Sequence, residues 1–297
     1  MTQKNKNMKL PWDKTPIKKV KYPDGSSYVV VEDFPPHLEF RINTYEDLWT
    51  LTQIKDVYDY NNRPLSVTIP CLLDAQADRR FASNQPHSLK LLLRHLNSLQ
   101  FEDIEVFHPH NAEIVEAILN NVTILDNSSF ILDVLDDIYD VKRIIYYDRG
   151  VVTKEHLSMP IDNLVLMSSD AGGFKPLMKL VDKIGWQGET FSASKARKYE
   201  DGKSSLIQQI DRQDFQGKDI LIIDDICVKG GTFVGLAKML KERNCGNLYL
   251  AVSHMTVLDF NEELTLSYDT VFTTNSKNLP HEQYSARGVD LTILNYK

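Results

Sequence analysis

The stretch Asp219-Ile-Leu-Ile-Ile-Asp224-Asp225-Ile-Cys-Val-Lys229-Gly230-Gly231-Thr232-Phe233 narrows the folds open to this chain more than any other segment. An apolar run of strand length ends in two adjacent carboxylates, and a glycine-bearing turn follows. Phe233, Leu236, Ala237 and Leu240 then share one face at helical spacing. A strand–turn–helix of this kind leaves N–H groups of the turn and first helical residues without intrahelical partners. Those donors, with the positive end of the helix dipole, favour a phosphate. The carboxylates repel a phosphate, so their place is to accept hydrogen bonds from sugar hydroxyls or to approach a metal. The pieces suit a cradle for a sugar phosphate, and they also suit an ordinary strand-to-helix loop.

The rest of the chain repeats the alternation. Strands are expected at Ser27–Val31, Leu38–Ile42, Leu65–Cys71 and Ile104–Phe107, with a helix from Tyr45 to Val57. Leu89, Leu92, Leu93 and Leu96 form a helical stripe, and Asn111 stands as the cap of a helix carrying Ile114, Val115 and Ile118. A second strand–turn–helix spans Leu164 to Leu180, and Leu248–Ser253 and Thr270–Thr274 read as further strands. Strands alternating with helices predict an α/β protein with mainly parallel sheets flanked by helices. The charge-rich stretch from Asp136 to His156 places a domain boundary near residue 150. The expected organisation is an N-terminal arm (1–20), a first domain (21–150) and a second (151–297).

Composition excludes several classes. A chain of 297 residues with 42% hydrophobic and 25% charged content is built like a soluble globular protein of one large or two mid-sized domains. A net charge of −7 and a pI near 5.6 argue against a nucleic-acid partner, which calls for a basic face. No apolar run approaches the roughly 20 residues that span a bilayer, so no membrane partner is expected. Three cysteines without close pairing suit a reducing cytosol, and the expected location is cytoplasmic.

Four other segments carry chemistry. In Ser168-Ser169-Asp170-Ala171-Gly172-Gly173 the acid at a strand end serves a metal-bound water, a ribose hydroxyl or simply the helix N-terminus. His108-Pro109-His110-Asn111 offers two imidazoles beside a helix start, as metal or phosphate contacts or as loop residues. Ala75-Gln76-Ala77-Asp78-Arg79-Arg80 offers guanidinium groups that match phosphate oxygens, or a solvated basic turn. Ser194-Lys195-Ala196-Arg197-Lys198 reads as a mobile loop whose cations can close on a transferring phosphoryl group, or as an exposed charge run.

In this order the segments resemble those of the ribose-phosphate diphosphokinases, relatives of the type I phosphoribosyltransferases. The family's Phe-Ser-Asp-Gly-Glu is echoed by Tyr22-Pro23-Asp24-Gly25-Ser26, and its Ala-Arg-Gln-Asp-Arg by Ala75 to Arg79. Its Glu-Pro-Ile-Ser helix start resembles Gln85-Pro86-His87-Ser88, and Ser-Pro-Asp-Ala-Gly-Gly resembles Ser168 to Gly173. Ser253-His254 and Thr274-Asn275 are similar to its late Thr-His and Thr-Asn pairs. Departures are Ser26 for the adenine-side Glu, Gln76 for an Arg, and Val228-Lys229-Gly230-Gly231-Thr232 for Asp-Thr-Ala-Gly-Thr.

The resemblance implies two tandem phosphoribosyltransferase-like domains and a magnesium-dependent transfer of the diphosphate of ATP to an anomeric hydroxyl. It assigns catalysis to Lys195 and Arg197, and the ribose and its 5′-phosphate to Asp224, Asp225, Lys229, Gly230, Gly231 and Thr232. ATP falls to Tyr22, Asp24, Gln76, Asp78, Arg79 and His110, and the metal to His110, Asp170 and Asp224. The acceptor it implies is ribose 5-phosphate. The more cationic loop at Lys229 makes ADP-ribose the alternative, with the product feeding nucleotide or NAD synthesis. It also implies a homo-oligomer. A phosphoribosyltransferase acting on phosphoribosyl diphosphate and a base, or a silent regulatory subunit, are the remaining readings.

Overall fold

Among the described residues three hydrophobic clusters form where apolar strand residues meet apolar helix stripes, one in the first part of the chain and one on each face of the later sheet. The computed structural model describes residues 17–80, 82–141, 143–148, 151–157, 161–200, 203–256, 262–277 and 291–294. One unit comprises Met1–Asp126 with Ser276–Asn278, the other Asn127–Asn275 with Leu279–Lys297. Most of the expected N-terminal arm lies outside the described residues. Its last residues instead open a strand, because Ile17 is buried and the Lys19 ammonium is held by Glu46 and Thr50 at 2.6 and 3.1 Å.

In the first unit β1 (Ile17–Lys21) and β2 (Ser27–Val31) form an antiparallel hairpin. Strands β3 (His37–Glu39), β4 (Ser66–Ile69), β5 (Ile104–Phe107) and β6 (Val122–Leu125) lie in that order in a parallel sheet. Helices α1 (Tyr45–Tyr60), α2 (Ser88–Ser98) and α3 (Ala112–Ile118) connect them. Period-two alternation brings Leu38, Val67, Ile69, Ile104 and Val106 into one core with Leu51 and Ile54 of α1 and the leucine stripe of α2. A capping box starts α1: Thr44 Oγ1 accepts from the Asp47 N–H at 3.2 Å, and the Asp47 carboxylate accepts from the Thr44 N–H at 2.9 Å.

In the second unit α4 (Ser128–Tyr139) precedes a hairpin of β7 (Arg143–Asp148) and β8 (Val151–Leu157). Then come β9 (Leu164–Ser168), α5 (Ala171–Ile184), β10 (Glu189–Ser192), and a hairpin of β11 (Ser194–Glu200) and β12 (Lys203–Gln209). The chain continues through β13 (Asp219–Cys227), α6 (Gly231–Lys241), β14 (Leu248–Met255), α7 (Glu262–Leu266), β15 (Thr270–Thr274) and β16 (Leu291–Leu294). The sheet runs β10-β9-β13-β14-β15-β16, every pair parallel.

Strands covered on both faces need continuous apolar runs, and β9 is buried from end to end. Val165, Met167, Ile220 and Ile222 face α6 through Phe233, Leu236, Ala237 and Leu240. The alternate residues Leu164, Leu166, Leu221 and Ile223 pack with α4 and α5. This is a three-layer α/β arrangement.

The division between units falls at Asp126, earlier than the boundary expected near residue 150. The physical reason is α4, whose Phe130, Ile131, Val134 and Leu135 are buried in the core of the second unit. The Tyr139 hydroxyl at its end donates to Asp219 at the head of β13. Among the described residues no helix is long and apolar enough to cross a membrane.

Candidate active site

Open parallel sheets present ligands at the carboxyl ends of their strands. In the second unit that edge carries the two acidic segments picked out in the sequence. Register sets Ile223 of β13 beside Ser168 of β9, so the residues that follow each of them are neighbours. Ser169, 2% exposed, donates its hydroxyl to Asp224 Oδ2, and the Asp225 N–H donates to Asp224 Oδ1 at 2.9 Å. Both carboxylate oxygens of Asp224 are therefore engaged. Burial, and then the Asp225 charge beside it, pushes the Asp224 carboxyl up to about 7.

Asp170 is the N-cap of α5 and accepts from the Gly173 N–H at 3.0 Å. The cap reading of this residue thus holds. The glycines after it have a steric reason. A Cβ on Gly172 would stand 3.2 Å from Asp170 Oδ1, and one on Gly173 would stand 3.3 Å from Ser168 Cβ. The Ser168 and Ser192 hydroxyls, 2.8 Å apart, lie 2.9 and 3.2 Å from the Asp170 carbonyl and hold the turn.

Past Asp225 the chain runs through buried Cys227 to α6. Gly230 is the N-cap at φ 79°, a left-handed conformation that glycine adopts without strain, and no side chain caps the helix. Space is open where a Cβ on Gly231 would stand. Val228 and Lys229 are exposed at the turn. Burial pushes the Cys227 thiol up to about 12, which leaves it a packing residue rather than a nucleophile. Thr256 closes the adjacent strand end, its N–H and hydroxyl both donating to the Cys227 carbonyl at 2.9 and 3.2 Å. Ser253 and His254 of β14 and Thr274 of β15 are buried at the same edge, and the Thr274 hydroxyl donates to the Ser253 carbonyl at 2.6 Å.

In the first unit β4 and β5 deliver the other segments. Asn111, the N-cap of α3, accepts from the Ile114 N–H at 3.2 Å and donates its amide to Asp78 Oδ2 at 2.9 Å. The loop after β4 and the loop after β5 thereby meet, bringing Asp78 and its neighbour Arg79 to the His110–Asn111 segment. Gln76, Arg79 and His110 are exposed there. His108 takes a positive φ of 36°.

Tyr22 and Asp24 occupy the tip of the β1–β2 hairpin. There the Ser26 N–H and hydroxyl donate to Asp24 Oδ1 at 2.9 and 2.7 Å, which holds that carboxyl below its usual range. Gly25, at φ 89°, completes the turn.

Lys195 and Arg197 stand at alternate positions of β11, across the ladder from Gln208 and Leu206. The expected loop is thus a regular antiparallel hairpin. Its strands hold few apolar residues, and Leu206 and Ile207 are adjacent rather than alternating, which leaves no apolar period of two to read. Two partners escaped sequence reasoning: the Ser169 hydroxyl on Asp224, and the Asn111 amide on Asp78. The only signal for either was a polar side chain next to a candidate acid.

A parallel sheet ending in paired acids beside a glycine helix start is the architecture of phosphoribosyltransferase-like α/β proteins. The family described as the phosphoribosyl transferase domain matches residues 135–285, half the chain, and the chain belongs to that family. The resemblance to the diphosphokinases extends over nearly the whole length. A protein named ribose-phosphate pyrophosphokinase from Pyrococcus furiosus is 22% identical over 92% of this chain and 91% of its own. One of the same name from Sulfurisphaera tokodaii is 20% identical over 91% and 87%. The crystal structure of phosphoribosylpyrophosphate synthetase from Mycobacterium smegmatis superposes with a TM-score of 0.70 at 15% identity, covering 95% of this chain and 86% of that one. That match carries the fold, with both units included.

Proposed function

We propose that the chain transfers the diphosphate group of ATP to the anomeric hydroxyl of ribose 5-phosphate, forming phosphoribosyl diphosphate and AMP. The observation that carries this reading is the Asp224–Asp225 pair near the carboxyl end of the central parallel strand β13, from which the chain passes through Cys227, Val228 and Lys229 to the Gly230 start of α6. Relatives matched over most of their length and named ribose-phosphate pyrophosphokinase support it.

In this reading Asp224 and Asp225 accept hydrogen bonds from the ring hydroxyls and so fix the anomeric carbon. The first N–H groups of α6, with Lys229, Gly230, Gly231 and Thr232, take the 5′-phosphate. Gln76, Asp78, Arg79 and His110 bind ATP, with Tyr22 and Asp24 on its nucleoside side. The anomeric oxygen attacks the β-phosphorus. The bond from that phosphorus to the oxygen shared with the α-phosphorus breaks, AMP keeps that oxygen, and the anomeric proton passes to solvent. The Lys195 and Arg197 charges balance the charge that builds on the transferring group.

This reading takes magnesium, which binds through one or two carboxylates while retaining waters. Asp170, Asp224 and His110 would hold it, though among the described residues no three such side chains gather, and the ion would supply charge neutralisation of the triphosphate.

ADP-ribose is a second acceptor reading, favoured by one feature. Exposed Lys229 adds a cation at the α6 turn, where the diphosphokinase segment has a hydroxyl, and the segment's leading acid is Val228 here. A 5′ substituent with more negative charge than a monophosphate suits that exchange. The proposal includes assembly as a homo-oligomer, which light scattering of the purified chain would measure.

The test is a mass-spectrometric assay with ATP and magnesium, offering ribose 5-phosphate and ADP-ribose in parallel. A gain of one diphosphate on either sugar, with one AMP released, identifies the acceptor. Absence of AMP with both acceptors overturns the reading, and would leave a phosphoribosyltransferase or a regulatory subunit in its place.

A further inference from the structure

We propose that Ser169 is a positioning residue for the sugar site, acting through Asp224 rather than on the substrate. The inference rests on the reading of Asp224 as a ribose-binding acid. Three observations carry it. Ser169 is 2% exposed, so its contact with Asp224 belongs to the interior. That hydroxyl donates to Asp224 Oδ2 while the Asp225 N–H takes Oδ1 at 2.9 Å, so the carboxylate is held from both ends. The parallel register pairs Ile223 with Ser168, and Ser169 and Asp224 are the residues that follow them, Asp224 within β13 and Ser169 just past the end of β9.

A carboxylate tethered at both oxygens has one orientation. Each oxygen keeps a lone pair for a hydroxyl or a cation, and binding costs no reorganisation of the side chain. In the diphosphokinase segment that Ser168 to Gly173 resembles, proline stands at this position, and proline has no hydroxyl to give. The Ser169–Asp224 bond is therefore a device of this chain's own sequence, added to the shared cradle.

The test compares wild type with Ser169→Ala, Ser169→Thr and Ser169→Cys. Calorimetric binding of ribose 5-phosphate and of ADP-ribose, each with magnesium, is measured beside AMP release and thermal melting. Removing a residue that orients a metal ligand typically costs about tenfold or more, and the same scale is taken for a carboxylate that binds a sugar hydroxyl. The expected result is a loss of about tenfold in sugar binding and a matching rise in KM for Ser169→Ala, with kcat at saturating sugar little changed and the melting temperature lowered by the loss of a buried hydrogen bond. Ser169→Cys, close in size but a weak donor, behaves like Ala, and Ser169→Thr restores binding.

Wild-type binding in Ser169→Ala overturns the proposal. So does equal weakening in Ala, Cys and Thr, which would mark a packing effect. Should Ser169→Ala fail to fold, the contrast between Cys and Thr decides alone. A wild type that binds either sugar yet releases no AMP removes the proposed reaction, while the binding series still decides the role of Ser169. A wild type that binds neither sugar removes both.

Discussion

At the scale of single residues, charge and burial act against each other around Asp224. Its carboxyl is pushed up to about 7, whereas an unfolded chain would ionise it near the ordinary aspartate value. Between those two values the folded state holds a proton that the unfolded state has lost, so stability falls as pH rises through that window. The loss is on the order of a few kcal/mol. In metal-free buffer, wild type is expected to melt at lower temperature at pH 8 than at pH 5. Asp224→Asn should flatten that slope and melt higher than wild type at pH 8. A slope unchanged in Asp224→Asn would show that other groups set it. Lys195 offers the opposite kind of test, because its assigned partner exists only during transfer. Lys195→Ala is expected to lower kcat by 100-fold or more, in line with lost electrostatic stabilisation, while ATP affinity changes less than threefold. Full turnover in that variant would remove the assignment.

At the scale of elements, legibility followed the apolar period. The strand Ile104–Phe107 and the Asn111 cap were readable because burial and capping each leave a local signature. So was the leucine stripe of α2, where Leu93 is fully buried in the core with Leu51 and Val67. Leu93→Ala is expected to destabilise the first unit by about 2–5 kcal/mol, measured by urea unfolding; a change below about 1 kcal/mol would mean the core relaxes around the gap.

Other elements gave no such signature. The end of helix α4 falls in the charge-rich stretch that starts at Asp136, where exposed Asp136 and Asp137 follow its buried Val134 and Leu135, and that charge drew the expected boundary past it. The β11–β12 hairpin has Leu206 and Ile207 side by side among polar residues, so no period of two was visible. The site was legible to the same degree: the acids and glycines stood out as a run, whereas the Ser169 hydroxyl became meaningful only once register put two strands side by side.

At the scale of the whole molecule, the first core is complete before the second begins. Every residue of the cluster that includes Leu38, Ile54, Leu93 and Val106 precedes Asp126. A chain ending at Asp126 is expected to melt in one sigmoidal transition by circular dichroism. A gradual, non-cooperative melt would show that this core depends on later residues.

The second unit is not separable in the same way. The polypeptide leaves it after Asn275, contributes Ser276–Asn278 to the first unit with the Lys277 ammonium 3.4 Å from the Ile42 carbonyl, and returns to lay down β16 beside β15. A single cut at Asp126 therefore leaves Ser276–Asn278, which cluster with the first unit, on the piece that carries the second. Anyone dividing this protein for study has to reckon with residues that are encoded in one half and counted in the other.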